Sequence, residues 1–238
     1  MRLDSYIFEK FNLQSRTYSS RLIKDGLVLL NGICCMQPSK EVCGSEKIEI
    51  VQKEDFASFG GEKIKKAFES FLIDVNDKIC VDIGCSNGGF TDFLLRKGAA
   101  KVIAVDVGEC ALPERILKDS RVNFLKYNAR YLTKEITGEC DFACVDCSFI
   151  SLKILLPAIY SVLSDIGSAV LLIKPQFEVG KNALSKKGIV IDKKVEKRAV
   201  DSVLEEAKNI GFKVVGMTES PKKYEDKNQE YLLYVNKG

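Results

Sequence analysis

The chain has 238 residues, 46% of them hydrophobic, with 36 Lys and Arg against 33 Asp and Glu. That suits one large domain, or a large domain with a small appendage, and a net charge of +3 leaves any nucleic-acid affinity to local clusters. Histidine is absent, which removes the usual general base and the commonest metal ligand.

No apolar run reaches the roughly 18 residues of a membrane span. The opening MRLDSYIFEKF carries acids where a signal peptide has an uninterrupted apolar stretch. A cytoplasmic protein without membrane contact is expected, its nine cysteines reduced and mostly buried.

Residues 1–51 read as a compact module. Leu3, Ile7, Phe8 and Phe11 recur at helical spacing. Ser15 can cap a second helix with Leu22 and Ile23 on its inner face. LVLLNGICC and EKIEIV read as short strands. Between Phe11 and Lys24 stand Arg16, Arg21 and Lys24 without an acid, and Arg16 and Lys24 share a helix face. A solvated surface helix is the competing reading. Residues 52–61, ending in paired glycines, read as a linker.

From residue 62 onward a helix, EKIKKAFESFL, leads into alternating strands and helices. The apolar runs KICVDI, KVIAVD, VNFLKY, DFACVD and SAVLLIK predict a mostly parallel sheet covered on both faces. A long helix over about 193–210 stops at Gly211. FKVVGMTES and EYLLYVNK follow with no helix between them, so they form an antiparallel pair.

VDIGCSNGGF, residues 81–90, runs an apolar strand into a glycine turn. A phosphate-binding loop would need Lys where Phe90 stands, and a dinucleotide turn would need Gly where Ser86 stands. S-adenosylmethionine (SAM) suits the turn better: it has no phosphate, and Asp82 can organise the loop around its methionine part. Gly84, Gly88 and Gly89 let a ligand lie against backbone. Asp106 closes the next strand, 22 residues after Gly84, where a carboxylate accepts both ribose hydroxyls. An ordinary tight turn accounts for Gly88 and Gly89 but not for the two carboxylates.

Cys140, Cys144 and Cys147 have the spacing of cluster ligands, C-x3-C-x2-C. Extended chain would spread them over roughly 20 Å and turn Cys147 away from Cys144, so buried thiols and no metal are expected. Cys147 is also a candidate nucleophile for methylating cytosine carbon 5, although Asp146 stands where such motifs place proline. For a hydroxyl acceptor, Lys174 at the end of LLIK is the natural base. A free lysine is almost wholly protonated at neutral pH, with a pKa of about 10.4. Burial and a nearby Lys63 would lower that value, while Asp146 and Glu230 would raise it.

These residues carry a resemblance. RLDSYI, SRTYSSRLIKDGLVLLNG, GGEKI, VDIGCSNGGFTD, AVDVG, NAR, VDCSFISL, LIKPQFEVG and QEYLLY together resemble the TlyA-type ribosomal RNA methyltransferases, also called haemolysin A, over nearly the whole chain. The resemblance implies an α/β fold: a doubly wound, Rossmann-like SAM-methyltransferase sheet of FtsJ type over 62–238, mostly parallel with an antiparallel strand near the C-terminus. It implies a small N-terminal α+β RNA-binding domain of the alpha-L (ribosomal protein S4) kind.

It further implies a Lys63–Asp146–Lys174–Glu230 tetrad that methylates the ribose 2′-hydroxyl of cytidines in ribosomal RNA, free or in subunits. Asp82, Gly84, Ser86, Gly88, Gly89, Phe90, Asp106, Asn128 and Asp146 carry over as the SAM site. With that context the basic stretch KNALSKKGIVIDKKVEKR becomes an RNA contact through Lys186 and Lys187, beside Arg2, Arg16, Arg21 and Lys24. Three places depart from the family pattern: Phe59 where Arg is usual, Glu109-Cys110 where Tyr-Gly is common, and Lys227-Asn228 where Gly-Asn is usual. A non-catalytic RNA-binding assembly factor and a pore-forming haemolysin are the rival readings.

Overall fold

A computed structural model describes residues 1–13, 15–50, 56–224 and 226–238, which fall into two compact units, 1–55 and 56–238.

In the smaller unit, α1 (Leu3–Lys10) and α2 (Arg16–Lys24) accompany β1 (Val28–Leu30), β2 (Ile33–Cys34) and β3 (Ile48–Ile50), with β1 central. Ser15 caps α2, its hydroxyl accepting from Tyr18 N at 3.1 Å. Asn31 and Gly32 have φ of 51° and 79°, the two positive values of a two-residue hairpin turn whose twist matches the flanking strands. The core gathers Leu3, Ile7, Ile23, Val28, Leu30 and Ile48. Of the residues at helical spacing, Leu3 and Ile7 are buried, whereas Phe8 and Phe11 lie exposed.

In the larger unit α3 (Gly60–Phe71) precedes β4 (Ile79–Ile83), α4 (Gly89–Arg96), β5 (Lys101–Asp106), α5 (Glu114–Leu117), β6 (Val122–Lys126), α6 (Lys134–Thr137) and β7 (Cys140–Val145). Then come α7 (Leu152–Val162), β8 (Leu163–Ile173), α8 (Pro175–Glu178), α9 (Lys193–Ile210), β9 (Phe212–Glu219) and β10 (Tyr231–Lys237). The sheet order is β6-β5-β4-β7-β8-β10-β9. β6, β5, β4, β7 and β8 are parallel neighbours, and β10 runs antiparallel to both β8 and β9. Strand alternation splits the core in two. Val81, Ile83, Ile103 and Val105 face the α7 and α9 layer, whereas Cys80, Val102 and Ala104 face α3 and α4.

Three local expectations change. Of the expected linker, 52–55 lie outside the described residues, while 56–61 belong to the larger unit. Ala57 N donates to Asp92 at 2.8 Å, and Gly60 and Gly61 open α3 rather than ending a linker. The reason is close packing. A Cβ on Gly61 would sit 2.1 Å from the Phe56 ring, and one on Gly89 would sit 2.8 Å from Gly61 N. β8 begins five residues before SAVLLIK, with a register shift against β7. Among the described residues no helix is long and apolar enough to cross a membrane.

Candidate active site

Parallel strands deliver their last residues to one edge, where loops rather than pairing satisfy the backbone. Lys174 directly follows β8, and Pro175 starts α8 there, having no N–H to continue the ladder. Asp146 directly follows β7, Glu230 directly precedes β10, and Lys63 stands in the first turn of α3.

These four side chains, up to 167 residues apart, meet. Lys174 Nζ lies 2.6 Å from Asp146 Oδ1 and donates to Ser148 Oγ at 2.9 Å. Lys63 Nζ lies 2.7 Å from Glu230 Oε2 and 3.5 Å from Asp146 Oδ2. Asp146 is therefore the bridge between the two ammonium groups. Lys174 is buried, and the other three are mostly so. Burial works against charge on Lys63, but Asp146 and Glu230 outweigh it and raise its pKa above that of an ordinary lysine, so Lys63 is a fixed cation at neutral pH.

Two clefts meet at this cluster. One, of about 510 Å3, is lined by Gly84, Ser86, Asp106, Tyr127, Asn128 and Leu155 among others, a size suited to a nucleoside-sized ligand. The other, of about 360 Å3, contains Lys63, Lys174, Gly89 and Phe90. Gly84, Ser86, Asp146 and Ser148 line both. Gly84 has φ 84°, and a Cβ there would come within 2.8 Å of the Asp146 carbonyl oxygen, so only glycine lets the turn pass this close to the bridge residue. Asp106 accepts from Ser86 N and Gly108 N, each at 2.9 Å. Its carboxylate keeps lone pairs for two hydroxyl donors. Asn128 Oδ1 accepts from Arg130 N at 3.1 Å, which aims its side chain at the same cleft. These features fit the ribose and adenine of SAM.

Neither Asp82 nor Gly88 lines either of these two clefts. Asp82 is fully buried, accepting from Thr91 Oγ1 at 2.6 Å, and its Oδ1 has no partner among the described residues. Burial pushes its pKa up to about 7. Through Thr91 it ties β4 to α4 beneath the turn. Gly88 packs under α5: a Cβ would meet Leu112 at 2.7 Å.

Cys140 and Cys144 are fully buried, packing with opposite core layers. Burial pushes the Cys147 thiol up to about 12, with Lys174 only partly offsetting it. A thiol held protonated is a poor nucleophile.

Of the expected RNA contacts, Arg16, Arg21 and Lys24 line one groove of the smaller unit. Arg2 and Arg16 lie 2.9 and 3.3 Å from the buried Asp4, which the Arg2 hydrogen bond above all holds at a pKa of about 2. Lys186 and Lys187 are exposed on a loop of the larger unit. Asn228 pins that loop, accepting from Val190 N and donating to Gly188 O, both at 2.9 Å.

Several residues around the cluster escaped the sequence reading. Ser148 had no motif to mark it as a partner of Lys174. Phe149 is 92% exposed with φ 64° and lies 5.3 Å from the Phe177 ring, an aromatic rim beside Lys174. Glu178, within LIKPQFEVG, caps α7 by accepting from Ser151 Oγ at 2.5 Å and Leu152 N at 2.7 Å. Of the departures, Phe59 lines the cleft that contains Lys63 and Lys174, and Glu109 pairs with Lys126.

A parallel sheet whose carboxyl edge joins a ribose-reading cleft to an amine–carboxylate cluster defines a group-transfer enzyme that uses a nucleoside-bearing donor. The chain belongs to the FtsJ-like methyltransferase family, whose model matches residues 56–237, and it carries an S4 domain over residues 1–48. That family implies SAM as the methyl donor.

The chain is 38% identical to Hemolysin A of Brachyspira hyodysenteriae, with 98% of this chain and 99% of that protein aligned. It is 37% identical to the 16S/23S rRNA (cytidine-2'-O)-methyltransferase TlyA of Mycobacterium tuberculosis, over 98% and 89% of the two chains. A solved structure named as a hemolysin from Lactococcus lactis superposes with a TM-score of 0.75 at 40% identity, covering 78% of this chain and 90% of that one.

Proposed function

We propose that this protein methylates the ribose 2′-hydroxyl of cytidine in ribosomal RNA, using SAM. The observation that carries the reading is the position of Lys174, whose amine is held by Asp146 and Ser148 where two clefts join. Bound SAM would supply an electrophilic methyl group on its sulfonium.

The chain's own residues do the rest. Asp106 and Asn128 read the ribose and adenine of the donor. Lys174 takes or steers the proton as the acceptor oxygen loses it. Asp146 orients Lys174 through Oδ1 and Lys63 through Oδ2, and Glu230 fixes Lys63 from the other side. Much of the acceleration then comes from orientation. Phe149 and Phe177 offer a surface on which a splayed base can stack. Arg2, Arg16, Arg21 and Lys24 of the S4 domain supply phosphate contacts. The cytidine assignment rests on the activity named for the mycobacterial relative, and a ribosomal substrate supports a cytoplasmic location.

The test is mass mapping of ribosomal RNA, free and in subunits, incubated with SAM with and without the protein. A cytidine that gains a methyl on its ribose is the expected result. A methyl on base carbon 5, or no transfer at all, would overturn the reading.

A further inference from the structure

Beyond the catalytic cluster the carboxyl edge continues into a third hollow of about 210 Å3. It shares Phe59, Lys63 and Lys223 with the catalytic cleft and adds Gln176, Lys222 and Lys227, with Glu230 in its wall. Its charge is lopsided. Glu230 is the acid lining it, and that carboxylate is engaged by Lys63 at 2.7 Å and by Gln176 Nε2 at 3.4 Å. Lys222, Lys223 and Lys227 have no carboxylate partner among the described residues. Lys227 stands where the resemblance leads one to expect glycine, so this chain has added a cation to the wall.

The second feature is Gln176. Its Oε1 is buried with no hydrogen-bond partner among the described residues. Turning the amide over would not help, because the oxygen would then face the Glu230 carboxylate. A buried acceptor without a donor points to a ligand that brings one. The hollow thus offers surplus positive charge and one unsatisfied acceptor, immediately beside the amine assigned to the 2′-hydroxyl.

In RNA the 2′-oxygen and the 3′-phosphate hang from adjacent carbons of one ribose. A 2′-oxygen at Lys174 therefore carries a phosphodiester into the neighbouring space. We propose that this hollow seats the phosphodiester on the 3′ side of the methylated ribose, held by Lys222, Lys223 and Lys227, with Gln176 Oε1 accepting from the next ribose hydroxyl. The proposal rests on the 2′-hydroxyl reading above and extends it to the path of the strand. Asn228, on the hollow's wall, also pins the loop of Lys186 and Lys187, so one side chain supports two sets of basic residues.

The experiment compares two triple variants of the full chain. Lys222→Gln, Lys223→Gln, Lys227→Gln empties the hollow of charge. Lys97→Gln, Lys101→Gln, Lys118→Gln removes as much charge from the opposite edge of the sheet. Binding of each to an unmethylated ribosomal RNA transcript is measured across salt concentrations, with S-adenosylhomocysteine binding as the check on folding. Each single-strand phosphate contact contributes about 0.7 to the slope of log affinity against log salt. The hollow variant is expected to lose about 0.7 from that slope, one phosphate contact, and roughly tenfold in affinity, and the control neither.

Equal losses in both variants, or none in the hollow variant, would overturn the proposal. Should the triple variant fail to fold, Lys227→Gly carries the test, with a slope loss expected below the roughly 0.7 of a whole phosphate contact but above the control's. Ribose methylation is assayed in parallel on the wild-type chain. A protein that binds RNA through the hollow but methylates no ribose would sink the reaction assignment and leave the hollow standing.

Discussion

The cleft lined by Asp106 and the Lys63–Asp146–Lys174–Glu230 cluster meet at Asp146, yet they are built by different means. The donor cleft comes largely from short segments following successive strands: Gly84 and Ser86 after β4, Asp106 at the end of β5, Asn128 after β6. Backbone N–H groups hold its key carboxylate. The cluster draws one residue each from α3, the β7 end, the β8 end and the start of β10, and side-chain ion pairs hold it. A site braced by backbone tolerates loss of one side chain better than a site braced by mutual charge, since each removal in the latter leaves a partner buried and uncompensated.

That contrast can be broken by substitution. The largest effect is expected from Lys174→Ala, a loss of about 10²–10⁴-fold in kcat, the usual range for a positioned proton acceptor, with S-adenosylhomocysteine binding retained. Single-turnover methylation beside calorimetry separates the two quantities, and full activity would remove Lys174 from its role. Glu230→Gln comes next. It leaves Lys63 with Asp146 alone, and roughly a 10²-fold loss in kcat is expected from the misplacement, read by the same assay. Asp106→Asn attacks the other region. It weakens one charge-assisted bond to a ribose hydroxyl, worth about 1.5–3 kcal/mol, so S-adenosylhomocysteine binding should weaken about ten- to a hundredfold while kcat at saturating donor changes little.

The smallest effect sharpens the contrast beneath the surface. Asp82 has its folded pKa raised from 3.8 to about 7 by burial. The folded protein thus keeps a proton that the unfolded chain releases. Its contribution to stability is full below about pH 4 and is lost as pH rises through about 7. Melting temperatures measured from pH 4 to 8 should fall more steeply in the wild type than in Asp82→Asn. Parallel curves would show that Asp82 does not titrate in this window.

The two regions also differed in how legible they were from sequence. Strand–helix alternation fixed the parallel sheet, and the spacing from Gly84 to Asp106 marked the donor cleft, because both are local properties of the chain. Residues alone pointed to Lys174 at a strand end. Lys63 and Glu230 could be named as charges that would tune it, but their grouping into a tetrad came through resemblance, since nothing within a window of sequence links positions 167 residues apart. Side-chain direction was the least legible. Asp82 was read as a ligand contact with no sign of its bond to Thr91 beneath the turn. Gly60 and Gly61 looked like slack chain and proved to be the place where α3 can approach Gly89. Phe149 carried no periodic signal because it owes its exposure to a left-handed backbone after β7.

The interior position of β10 has a consequence for synthesis. The strand that Glu230 introduces lies between β8 and β9 and not at an edge, so a nascent chain that has emerged only as far as β9 has an unfilled slot in its sheet and a Lys63 lacking its nearest carboxylate. Translation must carry the polypeptide past position 237 before the slot can close. Methylating capacity would therefore arrive late and all at once.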